Sequence, residues 1–556
     1  MGRGTLRQLA QGIPGLRERL TPGIHVAVEV GVGQSIARVA TATAAFVGRA
    51  LRGPVNRPVL IHSFADFQAV FGGLWQPSTL SYAIEQYFEN GGQQAHVVRV
   101  VNGARPSTLT LTVPQGPALT LEACCPGTRE FLRAAVDYDN IPATDLESFN
   151  LVVHRVRAPG SEHVEDQEIY ERLSVAPDSP RFVAVLLADS ALVRLRGAVP
   201  LQRPAPTCRG ESRAFASYAN SNPDGDDGGP LTDYDVIGSA TARTGLFAFG
   251  EQDAFNFLCL PPLGRDSALG ASVLLVAKRL CRERRALLMV DPPADWNSPA
   301  AAIAGLRNFH FGSDNALMYF PWIQAYDRLR GRFETFPPGA AAAGMLARLE
   351  SARPLWSGPE GEDGPLRPGL RPGLVVAEEW RSRLAEAGIN TLQAVRARRA
   401  IRARTLAGPR ASSADWRFLG RRRLALFVVE SIVRGTRWVL FEAAGAETWR
   451  RLESQIGEFF AGLERDGAFA GALPGQAWFA ISDERVNPAR QLGGVQVLFG
   501  YAAGREGEWH CWLLSHGPQG SRVQAVSLNR LQSAGGRPPL DPDFDVATLL
   551  CEQLRD

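Results

Sequence analysis

Asn256-Phe257-Leu258-Cys259-Leu260-Pro261-Pro262 and Ala286-Leu287-Leu288-Met289-Val290-Asp291-Pro292-Pro293 decide the fold. Each is a short apolar run stopped by prolines, too short for a helix and the right length for a strand. Between them Ser267 opens a helix with Leu269, Val273, Val276 and Leu280 on one face. A second helix, Pro299–Asn308, leads to a third strand, Ala316–Phe320. Two consecutive β–α–β units predict a parallel or mixed sheet covered by helices.

Upstream, residues 41–101 carry the same grammar. Ala44–Gly48 reads as a buried strand and Val59-Leu60-Ile61 as a short one. Ser63 with Asp66 makes a capping box for a helix ending at Gly72-Gly73. Ser78 caps a helix with apolar residues at 80, 83, 84, 87 and 88, and Val97–Val101 follows as a strand. Residues 105–235 differ: short β-like runs, an acidic stretch Glu162–Glu171 and the loop Asn222–Pro230 read as an inserted, mainly β surface domain. Residues 418–516 read as α+β. The helix Leu419–Arg434 is followed by strands at Trp438–Phe441, Ala477–Ile481, Val495–Tyr501 and Trp509–Ser515. A long helix there carries Trp449, Leu452, Ile456, Phe459, Phe460 and Leu463 on one face. A short helix is expected near Val546–Leu554.

Composition bounds the chemistry. The chain has 556 residues, 45% apolar and 21% charged, which is ordinary for a globular protein of several domains and excludes global disorder. A formal charge of +3 does not mark a dedicated nucleic-acid or membrane-surface protein. Lys278 is the single lysine and sits in Val276-Ala277-Lys278-Arg279, so no Walker A loop exists. The seven cysteines are irregularly spaced without C-x-x-C, which reads as reduced thiols in a cytosolic protein. Residues 1–20 contain no apolar signal-peptide core, and no run reaches the ~18 apolar residues of a membrane-spanning helix.

Catalytic signatures do not assemble. H-E-x-x-H, G-x-S-x-G and G-x-G-x-x-G do not occur. His510, Cys511 and His516 do not have metal-ligand spacing, and strand alternation puts Cys511 on the face opposite the two histidines. Asp291, at a strand's carboxyl end, and His310 are the polar residues an enzyme would use; the plainer reading of Asp291 is a cap on its own Asp-Pro-Pro turn. No cofactor and no metal is expected. From Arg381 to Arg423 twelve arginines face only Glu386 and Asp415. Arg396, Arg398, Arg399, Arg402, Arg421 and Arg422 are candidates for a surface that meets an acidic protein partner, with a solvated face or a phosphate-binding surface as alternatives.

Thr21-Pro22-Gly23-Ile24-His25-Val26 resembles the start of contractile tail sheath proteins, those of phage tails and of phage-tail-like contractile injection systems. The resemblance continues in order. It runs through Thr43–Arg49, Arg52-Gly53-Pro54-Val55-Asn56, Tyr87–Gly92, Asn256–Pro262, Val290–Pro293, Tyr319-Phe320-Pro321 and Phe336–Gly339. Gly388-Ile389-Asn390, Arg434–Val439, Gly467-Ala468-Phe469 and Asn487-Pro488 complete it. It covers about residues 21–516, excepting much of 105–230.

The resemblance implies a mixed-sheet, subtilisin-like sheath core without a working triad, a surface insertion and a C-terminal α+β domain facing an inner tube. It also implies terminal arm strands that add to neighbouring subunits. The corresponding division is 1–40 (N-terminal arm), 41–104 (first part of the core), 105–235 (insertion), 236–410 (sheath core), 411–516 (tube-facing domain) and 517–556 (extension). The arm strands would be Ile24, Val26, Val28 and Val30 at one end and Trp509, Cys511 and Leu513 at the other. Arg450, on the Glu447–Leu463 helix, is a further partner-facing candidate. The implied role is a structural, non-enzymatic subunit that polymerises around a tube and contracts. The implied partners are copies of itself, the tube protein, and baseplate and tail-terminator or cap proteins, with no nucleic acid and no membrane insertion. Assembly in the bacterial cytoplasm, as part of a phage tail or a released tail-like particle, follows. A minor or terminal sheath paralogue is the alternative, because the chain continues 40 residues past its last expected strand.

Overall fold

The computed structural model describes residues 35–207, 218–265, 267–356, 365–394, 401–407, 415–469, 477–487, 494–502 and 509–526. In chain order the first elements are β1 (Ala44–Gly48), β2 (Val59–Ile61), α1 (Phe64–Phe71), α2 (Thr79–Glu89) and β3 (Ala95–Arg99). The next are β4 (Thr108–Leu111), β5 (Leu119–Ala123), β6 (Leu132–Asp137), β7 (Ser148–Val156), β8 (Val164–Ser174), α3 (Val183–Leu186), β9 (Val193–Leu195) and β10 (Ala219–Asn220). Then come α4 (Asp233–Ile237), β11 (Phe257–Cys259), α5 (Ala271–Glu283), β12 (Leu287–Val290), α6 (Pro299–Asn308) and β13 (Ala316–Phe320). They are followed by β14 (Ile323–Asp327), β15 (Arg332–Phe336), α7 (Gly339–Ala352), β16 (Arg371–Pro372), α8 (Glu378–Ala387) and β17 (Asn390–Thr391). The last are α9 (Leu419–Gly435), α10 (Ala446–Arg465), β18 (Trp478–Ile481), β19 (Val495–Ala502), β20 (Trp509–Gly517) and β21 (Gly520–Val526).

The central sheet has seven strands in the order β17-β13-β12-β11-β1-β3-β2. All its pairings are parallel except β2 with β3. The first segment and the segment after residue 235 therefore build one sheet, joined where Phe46 of β1 lies between Val97 and Cys259. Both faces are apolar, as a parallel sheet with helices on each side requires. Phe46, Phe257 and Met289 pack under α1, α2 and α7; Val47, Leu258 and Leu288 pack under α5, α6 and α8. α2 and α7 touch through small residues. A Cβ on Gly344 would lie 2.2 Å from the Tyr87 carbonyl oxygen, so only glycine permits this approach.

Residues 105–235 form two antiparallel sheets, β10-β6-β7-β8 and β4-β5-β9, around one core that includes Leu121, Val136, Phe149 and Leu151. The C-terminal unit is the antiparallel sheet β18-β19-β20-β21 with α9 and α10 on one face. On α10, Leu452, Ile456, Phe459, Phe460 and Leu463 are buried, the stripe that helical spacing predicts. Trp438–Phe441, expected as a strand, is a 3-10 turn, Arg437–Phe441. Thr436 N–H bonds back to Ile432 and Val439 N–H to Thr436, and Val439 is drawn into the helix cluster.

Candidate functional site

In a doubly wound sheet, ligands bind at the carboxyl ends of strands where the winding direction reverses. Here the reversal falls between β1 and β11, because α1 and α2 connect β1 to β3 on one face while α5 and α6 carry the chain from β11 to β13 on the other. Asp291, directly after β12, reaches this place. Its carboxylate accepts the Gly339 N–H at 2.7 Å, so it caps the start of α7 rather than its own Asp-Pro-Pro turn. Burial pushes the Asp291 carboxyl up to about 7, with the Gly339 bond opposing.

The rest of the crevice is filled by side chains that satisfy one another. Arg265 donates to Asp327 at 2.8 Å and the Tyr82 hydroxyl donates to the same carboxylate at 3.1 Å. Burial works against the Asp327 charge, but bonds from Arg265, the Leu329 N–H and Tyr82 hold it below the usual carboxylate range. Burial and the Asp327 contact push the Tyr82 hydroxyl up to about 12. Trp322, which also lines the crevice, donates from Nε1 to the Pro292 carbonyl at 2.8 Å. A void of about 30 Å³ remains, room for one or two waters and no substrate. His310 is exposed on the loop after α6 and does not line this crevice.

The arginine-rich segment divides. Arg396, Arg398 and Arg399 lie outside the described residues. Arg402 is exposed, near the Phe418 ring. Arg421, Arg422 and Arg423, in the first turn of α9, are partly buried, and each has a partner within the chain. Arg421 pairs with Asp415. Arg422 lies over the Trp416 ring and donates from Nε to Asn315 Oδ1 at 3.2 Å. Arg423 pairs with Glu350 on α7 and donates to the Thr41 carbonyl at 3.0 Å. Arg422 and Arg423, with Arg285 to Glu430 at 2.7 Å, hold the C-terminal unit to the central sheet. Sequence alone did not show this, because these partners are remote along the chain.

Trp509, Cys511 and Leu513, expected as an arm strand, belong to β20, which pairs with β19 on one edge and β21 on the other. Both rows of its backbone groups are used within the chain, so it is an interior strand and offers no edge to a neighbour. Among the described residues the outer strands of this sheet are β18 and β21. His510 and His516 face one side and serve separate partners. His510 Nε2 lies 3.0 Å from Asp415, and His516 is held between Thr436 and Ser521 at 2.8 Å each. Among the described residues no cluster of three His, Cys, Asp or Glu could hold a metal. The arm strand Ile24, Val26, Val28 and Val30 lies outside the described residues.

Arg450, Ser454 and Glu458 point outward from α10, opposite its apolar stripe, while Glu453 turns back to the Ser482 N–H. The β14–β15 hairpin, which sequence patterning missed, carries Tyr326, Leu329 and Phe333 each about half exposed. Its signal was the turn glycine Gly331 between two short alternating runs.

The fold is a parallel sheet, with the crevice at its switch point filled by the chain's own side chains, that carries two β-rich units. Residues 235–405 match the phage tail sheath protein central domain. The chain is 27% identical over 278 residues to a prophage major tail sheath protein of Pseudomonas aeruginosa, a match spanning 48% of this chain and 67% of that one. It is 24% identical over 334 residues to the tail sheath protein of Burkholderia phage BcepMu, spanning 57% of this chain and 59% of that one. The crystal structure of a sheath tail protein from Listeria innocua shares the fold, with a TM-score of 0.55 at 13% identity over 89% of this chain and 97% of that one. Residues 235–405 thus resemble a tail sheath central domain, and the relatives that the chain matches are tail sheath proteins.

Proposed function

We propose that this protein is the subunit of a contractile sheath. It polymerises helically around an inner tube and contracts from a metastable extended state to drive the tube through a target envelope. The observation that carries this reading is the sheath-family match across residues 235–405; the plugged crevice agrees with it. The N-terminal strand Ile24–Val30 is the arm that adds to a neighbour's sheet, where main-chain bonds would satisfy an exposed edge such as β18 or β21. A contact of this kind is heterologous and does not close, so it generates a helix of subunits. Contraction is then a change between two packings of the same rigid subunits, with stored conformational energy in place of nucleotide hydrolysis.

Arg402 and Arg450, with Arg396, Arg398 and Arg399, are assigned to partner contacts, and the outer face of α10 to the tube. The partners are copies of itself, the tube protein, and baseplate and terminator or cap proteins. Assembly takes place in the bacterial cytoplasm, as part of a phage tail or a tail-like particle.

Negative-stain electron microscopy of the chain co-expressed with its tube protein, with and without residues 1–30, tests this. Ribbed hollow cylinders formed only by the full-length chain are expected. Cylinders from both would remove the arm from the mechanism. No cylinders from either, with tubes present, would overturn the sheath reading.

A further inference from the structure

The C-terminal sheet is apolar on both faces. One face carries Val497, Phe499, Tyr501, Trp512 and Leu514 and is covered by α9 and α10. Strand alternation puts Phe479, Ile481, Leu498, Cys511, Leu513 and Val526 on the other. Gly500 lies among them; a Cβ there would meet Cys511 Sγ at 2.6 Å and the Phe479 ring at 2.8 Å. None of the six side chains is more than 6% exposed. Among the described residues their cluster is completed only by Val486 and the flank of Trp509, and no helix joins it. Leaving such a face to water would forfeit about 1.5–3 kcal/mol for each large apolar side chain.

We infer that the chain's own carboxyl-terminal extension covers this second face, through the segment Val546–Leu554. Three observations select this occupant. First, the short undescribed segments near the sheet are poor covers: residues 470–476 and 488–493 contain one leucine each, and residues 503–508 contain no large apolar residue. Second, the two chain ends leave from different sides. Ile36, near the start of the described chain, packs in the cluster under α9 and α10, against Gly435. Val526, the last described residue of the chain, is itself part of the second-face cluster.

Third, the extension has the right pattern and length. Val546, Leu549, Leu550 and Leu554 fall on one face of a helix, after the break at Pro538-Pro539 and Asp541-Pro542 and beside a capping residue, Asp545. A nine-residue helix is about 13 Å long. Four strands span about 14 Å between the outer two, so the helix crosses the sheet once. Residues 527–545 are ample to bring it there. The extension then seals the sheet and leaves the edges of β18 and β21 as its association surfaces.

Cys511 reports on the cover. Alkylation of the isolated full-length chain with N-ethylmaleimide, resolved by peptide mass spectrometry, would be compared with a chain ending at Gly535 and with Leu549→Asp/Leu550→Asp. Cys511 is expected to label at least about tenfold faster in both variants, while Cys259 and Cys281, buried in the central sheet unit, stay protected. Unchanged protection of Cys511 would overturn the inference. So would exposure of Cys511 only on deletion of residues 1–34, which would assign the amino-terminal segment. Protection of Cys511 that disappears on dilution would assign a second copy, and would overturn it as well. If a variant also exposes Cys259 and Cys281, hydrogen exchange of the intact chain decides: slow exchange across 546–554 supports docking, and exchange at the unprotected rate overturns it. The test uses the isolated chain, so its outcome is independent of whether the protein forms a sheath.

Discussion

Replacing Arg99 by methionine should loosen the joint between the central sheet and the inserted β unit. Arg99 ends β3 and is 1% exposed. Its guanidinium donates to three carbonyls, Ala50 at 3.1 Å, Gly53 at 2.7 Å and Pro126 at 2.8 Å. The first two belong to the loop after β1 and the third to the insertion, so one side chain pins both units. Arg49 reinforces it by donating to the Asp227 and Gly228 carbonyls at 3.1 and 2.8 Å.

Methionine keeps the stem but leaves three buried carbonyls without their donor, at about 1–3 kcal/mol each. Relief of the buried charge offsets part of this, since burial already lowers the Arg99 pKa. A net loss of about 3–5 kcal/mol is expected, in line with breaking a buried charged contact by removing one partner. At roughly 2–4 °C per kcal/mol for a unit of this size, the transition should fall by about 10 °C. Arg99→Lys, able to reach fewer of the three acceptors, should fall in between. Thermal unfolding gives the magnitude, and limited proteolysis should show new cleavage in residues 101–107 and 222–230. A loss below about 1 kcal/mol with an unchanged proteolytic pattern would refute the reasoning, because the carbonyls would then be satisfied without Arg99.

Three further outcomes are expected. Gly344→Ala drives a methyl into the Tyr87 carbonyl oxygen at 2.2 Å and should cost about 3 kcal/mol or more in chemical denaturation; a neutral result would mean that α2 and α7 can separate freely. Asp291 is held up at about 7 in the folded state against about 4 unfolded, so its contribution to stability falls as pH rises from 4 to 7. Asp291→Asn keeps an acceptor for Gly339 without the charge, and should match the parent near pH 4 and exceed its melting temperature at pH 8; parallel pH profiles would count against it. His516 is pushed down to about 4, by burial first and then by Arg437. The unfolded chain therefore takes the proton first, and the stability present above pH 6.5 is lost as pH falls toward 4, by about 2 kcal/mol at pH 5. His516→Gln should flatten that slope in melting curves between pH 7 and pH 5, and an unchanged slope would assign it elsewhere.

What the sequence by itself determined is the local grammar. The short proline-stopped runs at 257–260 and 286–290 and the stripe from Leu452 to Leu463 were legible because periodicity records which side of an element meets apolar neighbours. The family resemblance was legible for a related reason: several of its motifs, such as Asn256–Pro262 and Val290–Pro293, fall on strand ends of the central sheet. Tertiary structure decided the rest. Arg422 and Arg423 read as a surface because their counterparts lie far off in the chain; Arg422 and Asn315 are 107 residues apart. Trp438–Phe441 has strand composition, yet it turns because Val439 is drawn into the helix cluster. Trp509–Ser515 reads as a strand in either setting, and only the pairing partners on its two edges show that it is interior. Asp291 looked like a local cap, but the N–H it accepts is 48 residues away, brought there by the crossing of β12 and α7. Local pattern tells which face of an element is apolar. Which element covers that face is settled by long-range packing, and single-chain spacing does not encode it.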